Sequence, residues 1–455
     1  MSKTKKKPLI LLLSDDMRLH SGIATMSKEI VLHTAHKYDW LQVGAAVKHP
    51  DEGKLFDVSD SVNEEAGIDN ASVRIIPQSG YGNQDLIRQL ITTENPDAIL
   101  HFTDPRFWDW LYAMEDEIRR HIPIMYLNIW DDLPDPQWNA PFYGSCDLLM
   151  GISKQTYGIN KRVMKKYGMP MKDWQIQYVP HGVSEKFSKV NELKEKLKIS
   201  DKTFVVLYNN RNIRRKNPGD VILSYKEFCD TLTPDAARDV VLLLHTQRVD
   251  PNGTDLPDVI ENICPDYDVK FTDSQFSTDD LNVLYNVADV TINMASNEGF
   301  GLATCESVRA GTPIIVNVTG GMQDQCNFTI DGNYITAEQY VELGSLHDKK
   351  RLPKNLSWGS WVNPIWPTNR SLQGSPMTPY IFDDRCSYED AAKAIKQWYD
   401  TPEERRTQCG LEGSEWVSSE ESGMSAKNMG QRFIDSIDNT LKNYSPKTDI
   451  TLWKI

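Results

Sequence analysis

Apolar residues along this chain come in short unbroken runs separated by longer amphipathic stretches. Runs at 8–13, 41–47, 73–76, 98–102, 124–129 and 148–152 read as strands, and 23–36 and 84–94 read as helices between them. Strands apolar on both faces belong to parallel sheets covered by helices on either side. The pattern pauses at Val179-Pro180-His181-Gly182-Val183, where Pro and Gly interrupt regular structure. It restarts with strands predicted at 204–208, 240–245, 269–271, 290–294 and 313–317. Two α/β domains are therefore expected, over residues 1–183 and 184–424, with 425–455 a C-terminal helix and tail placed to pack back on the first domain. Residues 344–383 break the rhythm. They hold Trp358, Trp361 and Trp366 among Pro, Asn, Ser and Gly, and read as a long irregular insertion of the kind that carries function. Helical patterning resumes over 388–399, 403–418 and 425–441.

A chain of 455 residues suits two cores rather than one. Its formal charge of −14 repels polyanions as a whole and argues against a general nucleic-acid coat, while leaving room for a local basic groove. Lys161, Arg162, Lys165 and Lys166 form one basic cluster, best read as a solvated helix face, and residues 211–216 form another. The seven cysteines are odd in number and include no CxxC. That speaks against a disulfide framework or zinc site and for a reducing compartment, so the cytoplasm is the expected location. The basic start precedes an apolar run too short for a signal core, and no stretch is long enough to span a bilayer. Peripheral membrane contact stays open.

Chemistry concentrates in Asn297-Glu298-Gly299-Phe300-Gly301-Leu302-Ala303-Thr304-Cys305-Glu306, which follows a predicted strand and opens a helix. Gly299 and Gly301 let the backbone approach a ligand, and the helix start offers unpaired N–H groups to a diphosphate. Glu306 on the helix is placed to accept from ribose hydroxyls, and Glu298 in the loop to face a sugar. Two glutamates alone are more simply surface residues beside a glycine turn. With Gly311-Thr312-Pro313 following, however, the stretch 298–316 resembles the EX7E signature of the retaining glycosyltransferases of family 4, which have the GT-B fold.

The resemblance spans roughly residues 8–440 and implies two Rossmann-like domains facing each other across a cleft. Arg211 and Lys216, five apart after a predicted strand, match the family's Arg and Lys that bind the donor diphosphate; two cations there would stabilise the departing group. Arg214 and Arg215 are charges that pattern does not need. The 179–183 segment is similar to the family's Pro-Asn-Gly-Val hinge, with His181 in place of Asn. Ser21-Gly22-Ile23 keeps one of two glycines usual near the donor phosphate, so Gly22 is a donor-side candidate, as are Phe300 and Leu302. Gly320-Gly321 matches a further donor-side loop, with its acidic residue displaced to Asp324. Where the family often has a His, this chain reads Asn128-Ile129-Trp130-Asp131-Asp132; Asp131 and Asp132 are acceptor-side candidates, read with equal weight as a polar strand-end loop. His101 is a third candidate, although a buried structural His is the commoner case.

The expected activity is transfer of a sugar from a nucleotide-diphosphate-sugar to a hydroxyl of a glycan, lipid-linked sugar or small metabolite, with the domains closing to exclude water. No metal or other cofactor is expected. One alternative is a viral-type DNA glycosyltransferase acting on hydroxymethylated pyrimidines, its Trp-rich insertion stacking bases. Another is an inactive sugar-nucleotide-binding scaffold.

Overall fold

The computed structural model describes residues 6–169, 171–196, 199–272, 276–346 and 349–448. Residues 1–5 and those beyond 448, read above as part of the basic start and of the C-terminal tail, lie outside them. The chain divides into two compact units. One comprises residues 1–130, 135–182 and 426–455; the other comprises 131–134 and 183–425.

The first unit is built on eight strands: β1 Leu9–Asp15, β2 Asp39–Ala45, β3 Phe56–Asp57, β4 Val73–Pro77, β5 Ala98–Phe102, β6 Ile124–Asn128, β7 Leu148–Gly151 and β8 Ile176–Tyr178. They lie in the order β3-β4-β2-β1-β5-β6-β7-β8, all parallel except the β3–β4 pair. Ile10, Leu11, Leu12 and Leu13 are fully buried, as a central strand covered on both faces requires. After β1 the chain enters α1, Gly22–Thr34, capped by Ser21, whose hydroxyl accepts from the Ala24 N–H at 3.1 Å. The helix Ala426–Asn443 packs on α1, with Gly430 seated where a Cβ would lie 2.5 Å from the His33 Cβ. Tyr38 ties the pair by donating to Asp438 at 2.7 Å.

The second unit has a six-stranded parallel sheet: β9 Phe204–Asn209, β10 Val240–His245, β11 Val269–Phe271, β12 Val290–Asn293 and β13 Ile314–Asn317, joined at its edge by a later strand. Three short strands, β14 Thr329–Ile330, β15 Asn333–Tyr334 and β16 Leu356–Ser357, form a small antiparallel sheet. The edge strand of the large sheet is β17, Val362–Ile365, which gives the order β11-β10-β9-β12-β13-β17. β18 Pro367–Ser375 and β19 Thr378–Cys386 then form a two-stranded hairpin.

Residues 344–383 are therefore not an irregular insertion. β17 extends the parallel sheet, pairing with β13, and its short Val-Asn-Pro-Ile sequence gives little apolar signal. Trp361 and Trp366 are core residues, 4% and 5% exposed. Trp361 stacks on Trp416 with centroids 5.4 Å apart and donates to the Gln325 carbonyl at 3.1 Å. Neither indole presents a face for stacking a base or a sugar; Trp358 alone of the three is exposed.

Candidate functional site

In an open parallel sheet a ligand binds beyond the C-terminal strand ends, where the order of winding reverses. In the second unit, β9 leads to β10 and β11 on one side, while β12 leads to β13 on the other. The switch point lies between β9 and β12, which pair directly. Two loops leave it: residues 210–217, ahead of the helix α2 Pro218–Cys229, and residues 294–301, ahead of the helix α3 Leu302–Arg309.

These loops are laced together. The Ser296 N–H donates to the Arg215 carbonyl at 2.8 Å, and the Asn217 side-chain amide donates to the Met294 carbonyl at 2.9 Å. At the centre the Lys216 ammonium donates to Glu298 Oε2, both side chains being about one-tenth exposed. Burial pushes the Glu298 carboxyl up, but the charges of Lys216 and Arg215 outweigh it and hold the group below its ordinary value. For Lys216 burial is the stronger influence, and its ammonium is held below the ordinary lysine value against the pull of Glu298.

The α3 start is shaped for close approach. Gly301, its N-cap, has φ +85°, a left-handed conformation, and a Cβ there would lie 2.9 Å from Thr304 Oγ1. The N-cap glycine supplies no side-chain cap and the first turn holds no acidic residue, so the helix dipole leaves an uncompensated positive end at Leu302. Gln325 fixes the approach by donating to the Phe300 and Gly301 carbonyls at 2.6 and 2.9 Å. Gly320 and Gly321 press against the same loop: the Gly321 N–H donates to the Glu298 carbonyl at 2.9 Å, and a Cβ on Gly320 would lie 1.9 Å from that oxygen. Glu306, one turn into α3, accepts from the Tyr285 hydroxyl at 2.7 Å, which itself accepts from the Asn209 amide at 2.8 Å.

Lys216, Glu298, Gly299, Phe300, Gly301, Leu302 and Glu306 thus occupy the strand ends and helix start of one switch point. Arg211 is oriented differently. Its Nε donates to Asp250 at 2.9 Å, and its side chain is 60% exposed. Arg215, read from the sequence as a surplus charge, donates from Nη1 to the Asn297 carbonyl at 2.6 Å.

Asp131 and Asp132 belong to the short segment 131–134 that packs within the second unit. Asp131 lies 3.8 Å from Arg215, and buried Asp132 accepts from the Asn297 side-chain amide. Burial, reinforced by Asp131, pushes the Asp132 carboxyl well above its ordinary value. Phe382, Asp384 and Arg385 of the hairpin also grip the site: the Asn297 amide donates to the Phe382 carbonyl at 2.8 Å, the Asp384 N–H to Ser296 at 3.2 Å, and Arg385 to Asn217 at 3.1 Å.

In the first unit, Gly22 is the first, exposed residue of α1 after β1, at that sheet's own switch point between β1 and β5. The His101 reading needs correction. The side chain is fully buried, its Nδ1 lies 2.6 Å from the Tyr112 hydroxyl, and its ring stacks on Tyr126. Burial holds its pKa at about 3, so it is a neutral core residue and not a pocket-lining group.

Two α/β units, each with a parallel sheet and a switch point, define a Rossmann-like architecture of the GT-B type. Residues 189–343 match the family of glycosyl transferases group 1, and the chain is a glycosyltransferase. No curated protein matches it in sequence. Among solved structures, HepE from Anabaena, crystallised with UDP and glucose, is 12% identical with a TM-score of 0.61, over 95% of this chain and 99% of that one. The sucrose-phosphate synthase of Thermosynechococcus elongatus is 15% identical with a TM-score of 0.63, over 95% and 100%. The α,α-trehalose 6-phosphate synthase of Burkholderia multivorans is 10% identical with a TM-score of 0.63, over 97% and 100%. Among the described residues no helix is long and apolar enough to cross a membrane.

Proposed function

We propose that this chain is a retaining glycosyltransferase that binds a nucleotide-diphosphate-sugar at the switch point of its second unit and passes the sugar to an acceptor hydroxyl. The observation that carries the reading is the buried Lys216–Glu298 pair set beside the uncapped start of α3. The diphosphate sits on the α3 start near Leu302, where backbone N–H groups and the helix dipole favour an anion. Lys216 and a second cation from its loop take up the charge that grows as the nucleoside diphosphate leaves. Glu306, oriented by Tyr285, accepts from the ribose hydroxyls. Glu298 orients the sugar and is not a nucleophile. Gly22 lies on the donor side of the first unit, and Asp131 and Asp132 on the acceptor side.

The reaction is a front-face substitution. The bond between the anomeric carbon and the diphosphate oxygen breaks, and the acceptor oxygen bonds to the same face. The acceptor proton passes to the departing phosphate. UDP-sugars are the first donors to test, since HepE was crystallised with UDP. All seven cysteines are buried free thiols, in keeping with a cytoplasmic setting.

The test is mass spectrometry of donor and acceptor after incubation with UDP-, GDP- and ADP-sugars, glycan and small-molecule acceptors, and hydroxymethylated DNA. Loss of one donor with a matching mass gain on a glycan or metabolite is expected. Mass gain on DNA alone transfers the reading to a DNA glycosyltransferase, and donor binding without any turnover reduces it to a scaffold.

A further inference from the structure

We propose that strand β19 is a positioning element of the donor site, its residues 382–385 setting how Lys216 and Glu298 face each other. This rests on the donor site proposed above and adds to it residues beyond the family-matched stretch 189–343. Lys216 and Glu298 come from different loops, and each has a buried asparagine beside it in the chain. Asn217 follows Lys216, and its side-chain oxygen accepts from Arg385 Nη2 at 3.1 Å. Asn297 precedes Glu298, and its side-chain amide donates to the Phe382 carbonyl at 2.8 Å. One short run of β19 therefore touches a neighbour of each member of the pair. Between these contacts the Asp384 N–H donates to the Ser296 carbonyl at 3.2 Å. The Asn317 amide bridges the Asp384 carbonyl at 2.8 Å and the Ala295 carbonyl at 2.9 Å.

The loops need such a support, and the hairpin is anchored well enough to give it. Asn217 has φ +48°, a left-handed conformation that costs energy in any residue with a Cβ. Its amide donates to the Met294 carbonyl at 2.9 Å, and Arg385 satisfies its other end. A two-stranded hairpin is marginal by itself in water. Within this one the Arg370 guanidinium spans both Asp384 oxygens, Nη2 to Oδ2 at 2.6 Å, and the two side chains are 8% and 5% exposed. Arg370 also donates to the Gly344 carbonyl and lies over the Phe382 ring at 5.0 Å, so one guanidinium secures two of the residues that touch the loops. β19 ends at Cys386 in the sheet core, and the helix that follows, Tyr388–Asp400, packs on α2. The strand is thus the fixed part, and the two loops are what it positions.

The experiment is steady-state kinetics of donor consumption by the full chain, using whichever UDP-, GDP- or ADP-sugar it turns over, with a melting curve for each variant. Arg385 is exposed, so Arg385→Ala cuts the tie to Asn217 and leaves no buried charge behind. It is expected to lower kcat about tenfold, as misplacing a group that acts on the transition state does, with donor KM within about threefold of wild type. Arg385→Lys keeps a donor for Asn217 and should recover most of the loss. In an Asn217→Gly background, which keeps the left-handed φ and drops the side chain, Arg385→Ala should cost nothing further. The double variant Arg370→Ala with Asp384→Ala removes the hairpin's ion pair as a unit and should lower kcat by more than Arg385→Ala does. Unchanged kcat in Arg385→Ala overturns the proposal, as does a loss lying wholly in KM or one that persists undiminished in Asn217→Gly. Lys216→Ala separates the two levels: if it turns over donor like wild type, or if wild type consumes none of the nucleotide sugars, the donor-site reading itself falls.

Discussion

Replacing Glu298 by Gln leaves Lys216 buried without its counter-ion. Side chains about one-tenth exposed put this pair in the regime where removing one partner costs roughly 3–5 kcal/mol, because the surviving charge has lost both water and its mate. In a unit of this size 1 kcal/mol moves the melting temperature by about 2–4 °C, so the transition of the second unit should fall by roughly 6–20 °C. Burial already holds the Lys216 pKa below the ordinary 10.5, and without Glu298 it falls further. The native variant then binds fewer protons than its unfolded chain between the folded pKa and 10.5, so its stability should recover as pH rises through that window. Adding Lys216→Met removes the orphaned charge, and the double variant should regain most of the loss. Scanning calorimetry of wild type, Glu298→Gln, Lys216→Met and the double variant, at neutral and alkaline pH, reads all of this. A Glu298→Gln transition within about 2 °C of wild type, or a double variant that loses the sum of the two singles, refutes the reasoning.

Three other perturbations probe separate parts of the molecule. Glu306→Ala should raise the donor KM about tenfold with kcat little changed, since a ribose contact is made equally in ground and transition states; steady-state kinetics showing lost kcat at unchanged KM contradicts this. Gly320→Ala places a Cβ against the Glu298 carbonyl at a residue with φ +52°, so the Glu298 loop must shift; transfer should fall by at least tenfold in a protein that still folds, and unaltered kinetics would show that the loop is not held from this side. His101 and His181 are both buried with pKa held at about 3, against 6.5 when unfolded. The native state therefore binds fewer protons between those values: stability is full above pH 6.5 and falls below it by about 1.4 kcal/mol per pH unit for each ring. His181→Asn should give a shallower acid limb in a pH-dependent melt, and an unchanged limb rules the His181 contribution out.

The sheet cores were legible because fully buried parallel strands are uniformly apolar, as Ile10–Leu13 and Leu148–Met150 show. The loops after β9 and β12 were legible through local spacing, since Lys216 and the 298–306 stretch sit beside their own strands. What escaped reading depends on distant partners. β17 is short and carries Pro and Asn, and only its place beside β13 makes it a strand. The grip of Phe382 and Asp384 on residues 296–297 joins positions more than eighty residues apart, which no local pattern records. Trp361 and Trp366 read as functional aromatics because their polar neighbours hid the core they fill. His101 has no sequence mark separating it from a pocket histidine; its burial follows from Tyr112 and Tyr126 closing over it. Arg215 was visible as a charge, but its direction is set by Asn297 and Asp131.

The most direct test of the central claim is a crystal structure of the chain soaked with the nucleotide-diphosphate-sugar it consumes. The account predicts the diphosphate on the α3 start, within hydrogen-bond reach of the Leu302 N–H and Lys216, with the ribose on Glu306. A nucleotide bound elsewhere, or a diphosphate that touches neither Lys216 nor the α3 start, would contradict it.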